Sequence, residues 1–291
     1  MHLTRRTFAR SLAAAGAAAF AVRSARAEAA GPHILFGMCT GTDKAEKLKV
    51  LGYDFIENGV GGLLKPDLPD AEFAPELEKL KACALPIRSC NGFLPGKFRL
   101  TGPEAAHDPA LDYAVKACQR ADAVGISFIV FGSSGARNVP KEFDAAQGKA
   151  QFIEFCQKLG DRIKECKVTV VLEPLNKSES NILNTVAEGA EFVDAIKRPR
   201  IQLLADIYHM LREKESPDSI RKAGARLRHC HIAELEGRMA PGTQGEDFRG
   251  FFKALKDIGY VGGVSCECGW PKENAEEAWK KALDTLREQS R

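Results

Sequence analysis

From residue 33 onward, short apolar runs alternate with amphipathic segments, and this alternation restricts the fold more than any other feature of the chain. A short apolar or β-branched run predicts a buried strand, whereas apolar residues at helical spacing predict a helix that covers the strand. Such runs occupy residues 33–40, 53–59, 87–93, 127–133, 168–174, 201–209, 227–234 and 262–269. Helical periodicity is present in residues 73–84, 109–124, 142–167, 185–197, 246–259 and 274–289.

Eight strand–helix units are typical of a (β/α)8 barrel, which needs about 250 residues. We therefore predict an α/β fold of the TIM-barrel type, in one catalytic domain over residues 28–291. The alternative is a doubly wound sheet, which often has a glycine-rich first turn. Residues 59–62 lack the third glycine of a dinucleotide fingerprint, and residues 132–135 lack the spacing of a nucleophile elbow. We interpret both segments as loops.

The N-terminal residues have the features of a twin-arginine (Tat) export signal. Arg5 and Arg6 precede an Ala-rich apolar stretch over residues 11–22, and Ala25-Arg26-Ala27 fits an A-x-A cleavage site. The apolar stretch is too short to span a bilayer, so we expect no stable membrane span. The sequence predicts a signal peptide over residues 1–27, cleavage after Ala27, and export by the twin-arginine machinery to the periplasm. Such export carries folded proteins, often with a cofactor already bound.

Charge and cysteine content exclude other classes of protein. Cleavage after Ala27 would remove five arginines and no acidic residue, so the formal net charge of +3 becomes −2. A nucleic-acid-binding protein usually has a basic face, and the mature chain has no basic run. The nine cysteines are an odd number without the spacing of a small disulfide scaffold. We expect thiols and no essential disulfide.

Acidic residues and a histidine lie where four consecutive predicted strands end. Glu173, Asp206, His231 and Glu267 end the fifth to eighth strands, and function in a barrel gathers at these ends. A buried carboxylate such as Glu173 needs a partner or a metal. Three carboxylates and one imidazole suit Mn²⁺, Co²⁺ or Mg²⁺, and Zn²⁺ is also compatible. The strand period of two places His229 with His231 inside the barrel and turns the cysteines beside Glu267 outward, which disfavours a Cys/His zinc site.

Several of these segments resemble the xylose isomerase-like TIM barrels. The segments are LEPLN (172–176), ADIYHM (205–210), HCHIAE (229–234) with a following R-x-x-PG, and CE at 266–267. The resemblance covers residues 33–270 and is strongest from Val168 onward. The superfamily includes hydroxypyruvate isomerases, ketose 3-epimerases, inosose dehydratases and endonuclease IV. Residues 206–210 resemble hydroxypyruvate isomerases, whereas His231 resembles the ketose 3-epimerases, because the isomerases commonly have glutamine there.

This resemblance implies that Glu173 and Glu267 are both metal ligands and acid/base catalysts. Chelation of a substrate carbonyl and the neighbouring hydroxyl acidifies the adjoining C–H bond and stabilises an enediolate. One carboxylate can then remove the proton and the other can return it. Return to the opposite face gives epimerisation, return to the neighbouring carbon gives isomerisation, and loss of a leaving group gives elimination.

We predict five substrate contacts around the metal ligands. His209 follows Asp206 by one helical turn, and the family's epimerases imply substrate-binding roles for Glu179 and Arg238. Glu57 and Asn91 end the second and third predicted strands and point to the same mouth.

The leading hypothesis is a metal-dependent isomerase or epimerase of a small ketose or keto-sugar, and export favours an unphosphorylated substrate. The alternatives are a lyase or hydrolase of 3-keto-glycosides on the same site, and a periplasmic sugar-binding barrel without catalysis. An endonuclease would need a histidine-rich cluster of three metals, and the second and third strands end instead in Glu57, Asn58 and Asn91. Helix surfaces of such barrels often form homo-oligomers.

Overall fold

Eight parallel strands close into a barrel in the computed structural model, which describes residues 34–271 and 273–291. Each strand pairs with its neighbours in the chain, and the first also pairs with the eighth. This topology confirms the predicted (β/α)8 barrel. The signal peptide predicted for residues 1–27 lies outside the described residues. The strands are β1 (Leu35–Cys39), β2 (Phe55–Gly59), β3 (Ile87–Asn91), β4 (Phe128–Phe131), β5 (Thr169–Leu172), β6 (Ile201–Asp206), β7 (Leu227–Ile232) and β8 (Gly263–Cys266).

Helices lie between successive strands and cover the barrel. Gly52 and Gly125 end two of them in the left-handed region, with φ of +96° and +94°, where glycine carries no steric penalty. None of the helices in the described ranges combines the length and the apolar content needed to cross a membrane. The helices are α1 (Ala45–Leu51), α2 (Val60–Leu63), α3 (Asp70–Lys81), α4 (His107–Val124), α5 (Ser134–Arg137), α6 (Ala145–Arg162), α7 (Val186–Ile196), α8 (Ile207–Arg212), α9 (Asp218–Ala223), α10 (Arg249–Asp257) and α11 (Ala275–Gln289).

The interior of the barrel changes from apolar to polar along the strands. Val130, Val171 and Leu204 form a small buried cluster, separate from the main core between sheet and helices. Side chains two positions apart in a strand face the same side. The residues two positions after Val171 and Leu204 are Glu173 and Asp206. An apolar layer therefore lies beneath a polar one at the carboxyl ends of the strands.

Two of the observed elements are shorter than predicted, and in each case a side-chain carboxylate accepts a hydrogen bond from a backbone N–H at the boundary. The Asp206 carboxylate accepts a 2.8 Å hydrogen bond from the Tyr208 N–H, which ends β6 and starts α8. His209, predicted within an extended run, therefore lies in a helix. The Asp144 carboxylate accepts from the Gln147 N–H in the same way, so α6 begins later than the periodicity predicts.

Candidate metal centre and active site

The structure brings together the four predicted metal ligands, Glu173, Asp206, His231 and Glu267. One nitrogen or oxygen atom from each residue lies within 4.8 Å of the others. His231 Nδ1 is 3.1 Å from Glu173 Oε1 and 3.4 Å from Glu267 Oε2. Glu173, Asp206 and His231 are buried, and the Glu267 side chain keeps 24% of its surface exposed towards the mouth.

This donor set fits a divalent cation. Three carboxylates held this close repel one another unless positive charge is placed among them. Carboxylate oxygens with one imidazole nitrogen are ligands that Mn²⁺, Co²⁺ and Mg²⁺ accept. The group could therefore hold one divalent metal ion, whose identity stays a prediction.

The same neighbours shift the protonation of these groups. Burial lowers the pKa of His231, but the carboxylates of Glu57 and Glu267 raise it well above 6.5. Burial raises the pKa of Glu173, and the charge of Glu267 adds to that rise. Burial also acts to raise the pKa of Glu267, but His231 and then Arg238 lower it to about 2. The two predicted catalytic carboxylates thus lie in different environments in the metal-free structure.

His209 presents a free ring nitrogen to the mouth. Its Nδ1 atom accepts hydrogen bonds from the Asn176 backbone N–H at 3.2 Å and from the Asn176 side-chain amide at 2.8 Å. The ring proton therefore lies on Nε2, which is buried and has no hydrogen-bond partner among the described residues. Nε2 is 3.4 Å from Asp206 Oδ2, but without hydrogen-bond alignment. A buried donor without a partner suits the predicted contact to a substrate oxygen.

Arg238 closes one side of the metal centre. It lies in the loop after β7 with a left-handed φ of 51°. Its Nη2 atom donates to Glu267 Oε2 at 2.5 Å and lies 3.3 Å from Asp206 Oδ2. The guanidinium stacks 4.7 Å from the centre of the Tyr208 ring. This guanidinium neutralises part of the carboxylate charge, and its contact to substrate stays a prediction.

Asn91 and Glu179 also lie at the mouth. The Asn91 amide donates to Glu267 Oε1 at 2.8 Å. Glu179 accepts from the Asn176 amide at 2.9 Å, is 3.9 Å from Arg238 Nη1, and keeps 38% of its side chain exposed. Their predicted substrate contacts remain predictions, and both side chains lie beside the groups that would bind the sugar.

Glu57 requires a correction, because it does not face the mouth as a substrate contact would. It is fully buried inside the barrel. Its Oε1 atom is 2.9 Å from His231 Nε2, and its Oε2 atom is 2.9 Å from His229 Nε2. Ser89 Oγ donates to Oε2 at 2.6 Å. With both oxygens bonded beneath the metal centre, this carboxylate supports His231 instead of contacting substrate.

Glu234 anchors the loop that carries Arg238, although it is not among the site residues predicted from the sequence. Glu234 is fully buried. Its carboxylate accepts backbone N–H bonds from Gly242 at 2.8 Å and Gly245 at 3.1 Å, and further bonds from Gln244 and Glu246. Its own N–H donates to the Met239 carbonyl at 2.8 Å. Its place at the end of HCHIAE, directly before a glycine-rich loop, was the available signal.

The cysteines contribute no cross-link to the fold. All nine lie within the described residues and are free thiols. Cys39 is at the mouth, with its Sγ atom 3.3 Å from Ser265 Oγ. One potential ligand atom each from Cys39, Glu57 and His231 also lie within 4.8 Å of one another. Hydrogen bonds already account for both oxygens of Glu57 in that group.

The sequence of this chain is similar to those of known proteins. The model of the xylose isomerase-like TIM barrel family matches residues 45–289. A D-psicose 3-epimerase of Enterocloster bolteae is 35% identical over 125 residues, which are 43% of this chain and 41% of the relative. A D-psicose 3-epimerase of Agrobacterium fabrum is 28% identical over 227 residues, covering 76% of this chain and 77% of the relative.

A solved structure shares the architecture over most of the chain. The D-allulose 3-epimerase from Methylomonas sp., crystallised in complex with D-allulose, superposes with a TM-score of 0.72. It is 26% identical, and the match covers 89% of this chain and 98% of that protein. The sequence match to the first curated relative spans only about two fifths of that relative's length.

Proposed function

Because the chain belongs to the xylose isomerase-like TIM barrel family, we propose that it is a divalent-metal-dependent sugar epimerase that acts on a small ketose through an enediolate. The observation that carries this proposal is the position of two carboxylates around one histidine nitrogen. Glu173 and Glu267 approach His231 Nδ1 from separate strand ends, at 3.1 Å and 3.4 Å. A substrate carbon held between them would have a carboxylate available for removal and return of its proton.

Each residue of the mouth has a distinct part in this proposal. Glu173, Asp206, His231 and Glu267 would hold the cation, which would polarise the substrate carbonyl and stabilise the enediolate. Glu173 and Glu267 would move the proton between the two faces of the carbon. Asn91 and Arg238 each donate to one oxygen of Glu267 and fix its orientation. The free Nε2–H of His209 would hold a substrate hydroxyl.

The charges at the mouth favour an unphosphorylated sugar. Arg238 is already paired with the carboxylates of Asp206 and Glu267, and Glu179 adds further negative charge beside it. A phosphate group placed beside Arg238 would meet these carboxylates. The names of the relatives make D-psicose and other small ketoses the first substrates to test.

Proton exchange in D₂O is the decisive experiment. The protein, loaded with Mn²⁺, is incubated with D-psicose, D-fructose, L-ribulose and 3-keto-glucosides, quenched with a chelator, and the sugars are examined by NMR. We expect deuterium at the carbon beside the carbonyl together with a new epimer of the same constitution. Prior chelation should abolish both. An absence of exchange with every sugar, in protein that binds metal, would reject the proposal in favour of a non-catalytic sugar-binding barrel.

A matched pair of variants assigns the chemistry to the site. Glu267→Gln removes one proton-transfer carboxylate and should lower exchange by at least about 100-fold, while part of the metal affinity remains. Glu154→Gln makes the same chemical change on the exposed surface of α6 and should leave exchange unchanged. Wild-type exchange in Glu267→Gln would contradict the two-carboxylate scheme.

The same assay separates the lyase alternative. Elimination from the shared enediolate of a 3-keto-glycoside would release an aglycone or a free sugar fragment instead of an epimer. Deuterium exchange accompanied by such a fragment would replace the epimerase assignment with a lyase.

Export to the periplasm is the last part of the proposal. Its basis is the twin-arginine sequence, which lies outside the described residues. Replacing Arg5 and Arg6 with lysine should retain the chain in the cytoplasm. Fractionation of cells, with N-terminal sequencing of the exported form beginning at Glu28, tests both the route and the cleavage site.

A further inference from the structure

A row of hydrogen-bonded polar groups lies inside the barrel, directly beneath the metal centre. His229, Glu57, Ser89 and His231 are all fully buried. The Glu57 carboxylate is central, because its two oxygens bond separately to His231 Nε2 and to His229 Nε2, each at 2.9 Å. Phe128 stacks on the His229 ring from below, with centroids 5.5 Å apart and planes at 15°. The row therefore separates the apolar interior of the barrel from the metal centre.

The burial of Glu57 needs an explanation, because burial of a carboxylate is strongly unfavourable. No lysine or arginine pairs with it in the part of the chain that the structure describes, and its ionic partners there are the two histidines. A barrel interior at this position could be filled with an apolar side chain at lower cost. The network therefore serves something besides packing.

The hydrogen bonds determine which nitrogen of His231 faces the cation. A carboxylate accepts and cannot donate, so the proton of the Glu57–His231 bond belongs to Nε2. Nδ1 faces Glu173 and Glu267, and it is then the nitrogen that would present a lone pair to the cation once its own proton has left. The same rule applies to His229, whose Nε2 bonds to Glu57 while its buried Nδ1 has no partner. Both rings thus direct their N–H groups at one carboxylate.

We propose that Glu57 is a positioning residue of the metal centre, which fixes the ring orientation and the tautomer of His231 so that Nδ1 is presented to the cation. This role rests on the proposed function, because it requires the metal site to be real. Glu57 touches neither the cation nor the substrate and acts only through His231. Partners of this kind typically change metal affinity by about 10- to 100-fold.

Glu57→Gln provides the main test. Glutamine keeps the size of the side chain and can still accept from His231 Nε2, but it lacks the charge that orients and polarises the ring. Titration of metal-free protein with Mn²⁺ by calorimetry should give a Kd about 10- to 100-fold weaker than wild type. Glu154→Gln is the matched control, because it makes the same chemical change on the exposed surface of α6. Its Kd should stay near the wild-type value.

The thermal midpoint of the metal-free proteins separates positioning from folding. A purely structural Glu57 would lower this midpoint in Glu57→Gln and leave the Kd of the folded protein at the wild-type value, which would overturn the proposal. A wild-type protein that binds no Mn²⁺ would instead overturn the metal centre itself, and this role with it.

A second measurement needs no variant and covers the case in which Glu57→Gln does not fold. Long-range ¹H–¹⁵N correlation spectra of histidine-labelled wild-type protein, loaded with diamagnetic Mg²⁺ or Zn²⁺, report the tautomer of each ring. We expect His231 to carry its proton on Nε2. A proton on Nδ1 in the metal-loaded protein would overturn the proposal.

Discussion

The guanidinium of Arg238 lies 3.3 Å from the carboxylate of Asp206, so a loop cation meets a strand carboxylate across the metal centre. Arg238 also donates a hydrogen bond to Glu267, so its side chain contacts two of the four predicted metal ligands. Its position implies opposite effects on metal and on substrate. Its charge repels a divalent cation, while its predicted role is to donate a hydrogen bond to a sugar oxygen.

Arg238→Met should therefore strengthen metal binding and weaken the enzyme. Loss of the guanidinium removes repulsion from the cation, so the Kd for Mn²⁺ should fall by a few-fold, whereas the KM for the ketose should rise by about tenfold or more. Calorimetry and steady-state kinetics measure the two effects separately. Arg238→Lys is the control, because it keeps the charge and loses the planar fork, so the metal Kd should hardly change. Weaker metal binding in Arg238→Met would show that the arginine supports the ligands more than it repels the cation.

Gly132 gives a steric test of the position of Glu173. A Cβ atom at residue 132 would approach the carboxylate oxygen Glu173 Oε2 far inside van der Waals contact. Gly132→Ala should displace this carboxylate and lower both metal affinity and proton exchange by about tenfold or more, because a small misplacement of a catalytic group has a large effect. Gly62→Ala is the matched control, since its added methyl group meets no atom within 4 Å. Normal metal binding and proton exchange in Gly132→Ala would show that the Glu173 carboxylate does not need this position to bind the metal or to transfer the proton.

Glu173 and Glu57 show which features of the site can be predicted from the sequence and which cannot. The apolar run before Glu173 predicted a buried strand with this carboxylate at its carboxyl end. Such a prediction succeeds because the alternation of a strand can be read from neighbouring residues. Glu57 ends a similar run, and the same logic placed it at the mouth. Its actual partner, His231, is far away in sequence and belongs to a strand across the barrel. Hydrogen bonds between distant strands depend on register and closure of the barrel, which no local pattern contains.

Glu234 shows a second limit of the sequence. The anchoring of the 242–246 backbone by one carboxylate depends on the path of the loop, which is set by the positive φ of Gly242 and Gly245. Acidic residues in loops are usually solvated, so the position of Glu234 before a glycine-rich loop was too weak a signal to predict full burial.

Glu234→Gln should loosen the loop that holds Arg238. The NH₂ group of the glutamine side chain would face a backbone N–H that donates to the carboxylate in the wild-type protein. Loss of that hydrogen bond should lower the free energy of unfolding by about 1–3 kcal/mol. Urea denaturation measures that loss, and the KM for the ketose should rise because Arg238 is less well placed. Glu236→Gln is the control, since residue 236 is exposed in the same loop. Equal behaviour of the two variants would mean that the loop is held by other contacts.

Metal affinity should increase with pH, because the cation competes with a proton for His231 Nδ1. Burial lowers the pKa of this histidine, but Glu57 and Glu267 raise it well above 6.5 in the metal-free protein. A proton must therefore leave before the nitrogen can bind the cation, so each step down in pH below that raised pKa should weaken binding. Calorimetry with Mn²⁺ between about pH 6 and pH 8, in buffers of different ionisation enthalpy, measures the affinity and the protons released. His107→Gln is the control, because this histidine bonds to the Leu100 carbonyl, outside the group of predicted ligands, and its loss should leave the pH profile unchanged. An affinity that stays constant across this range, with no proton released, would exclude His231 as a ligand.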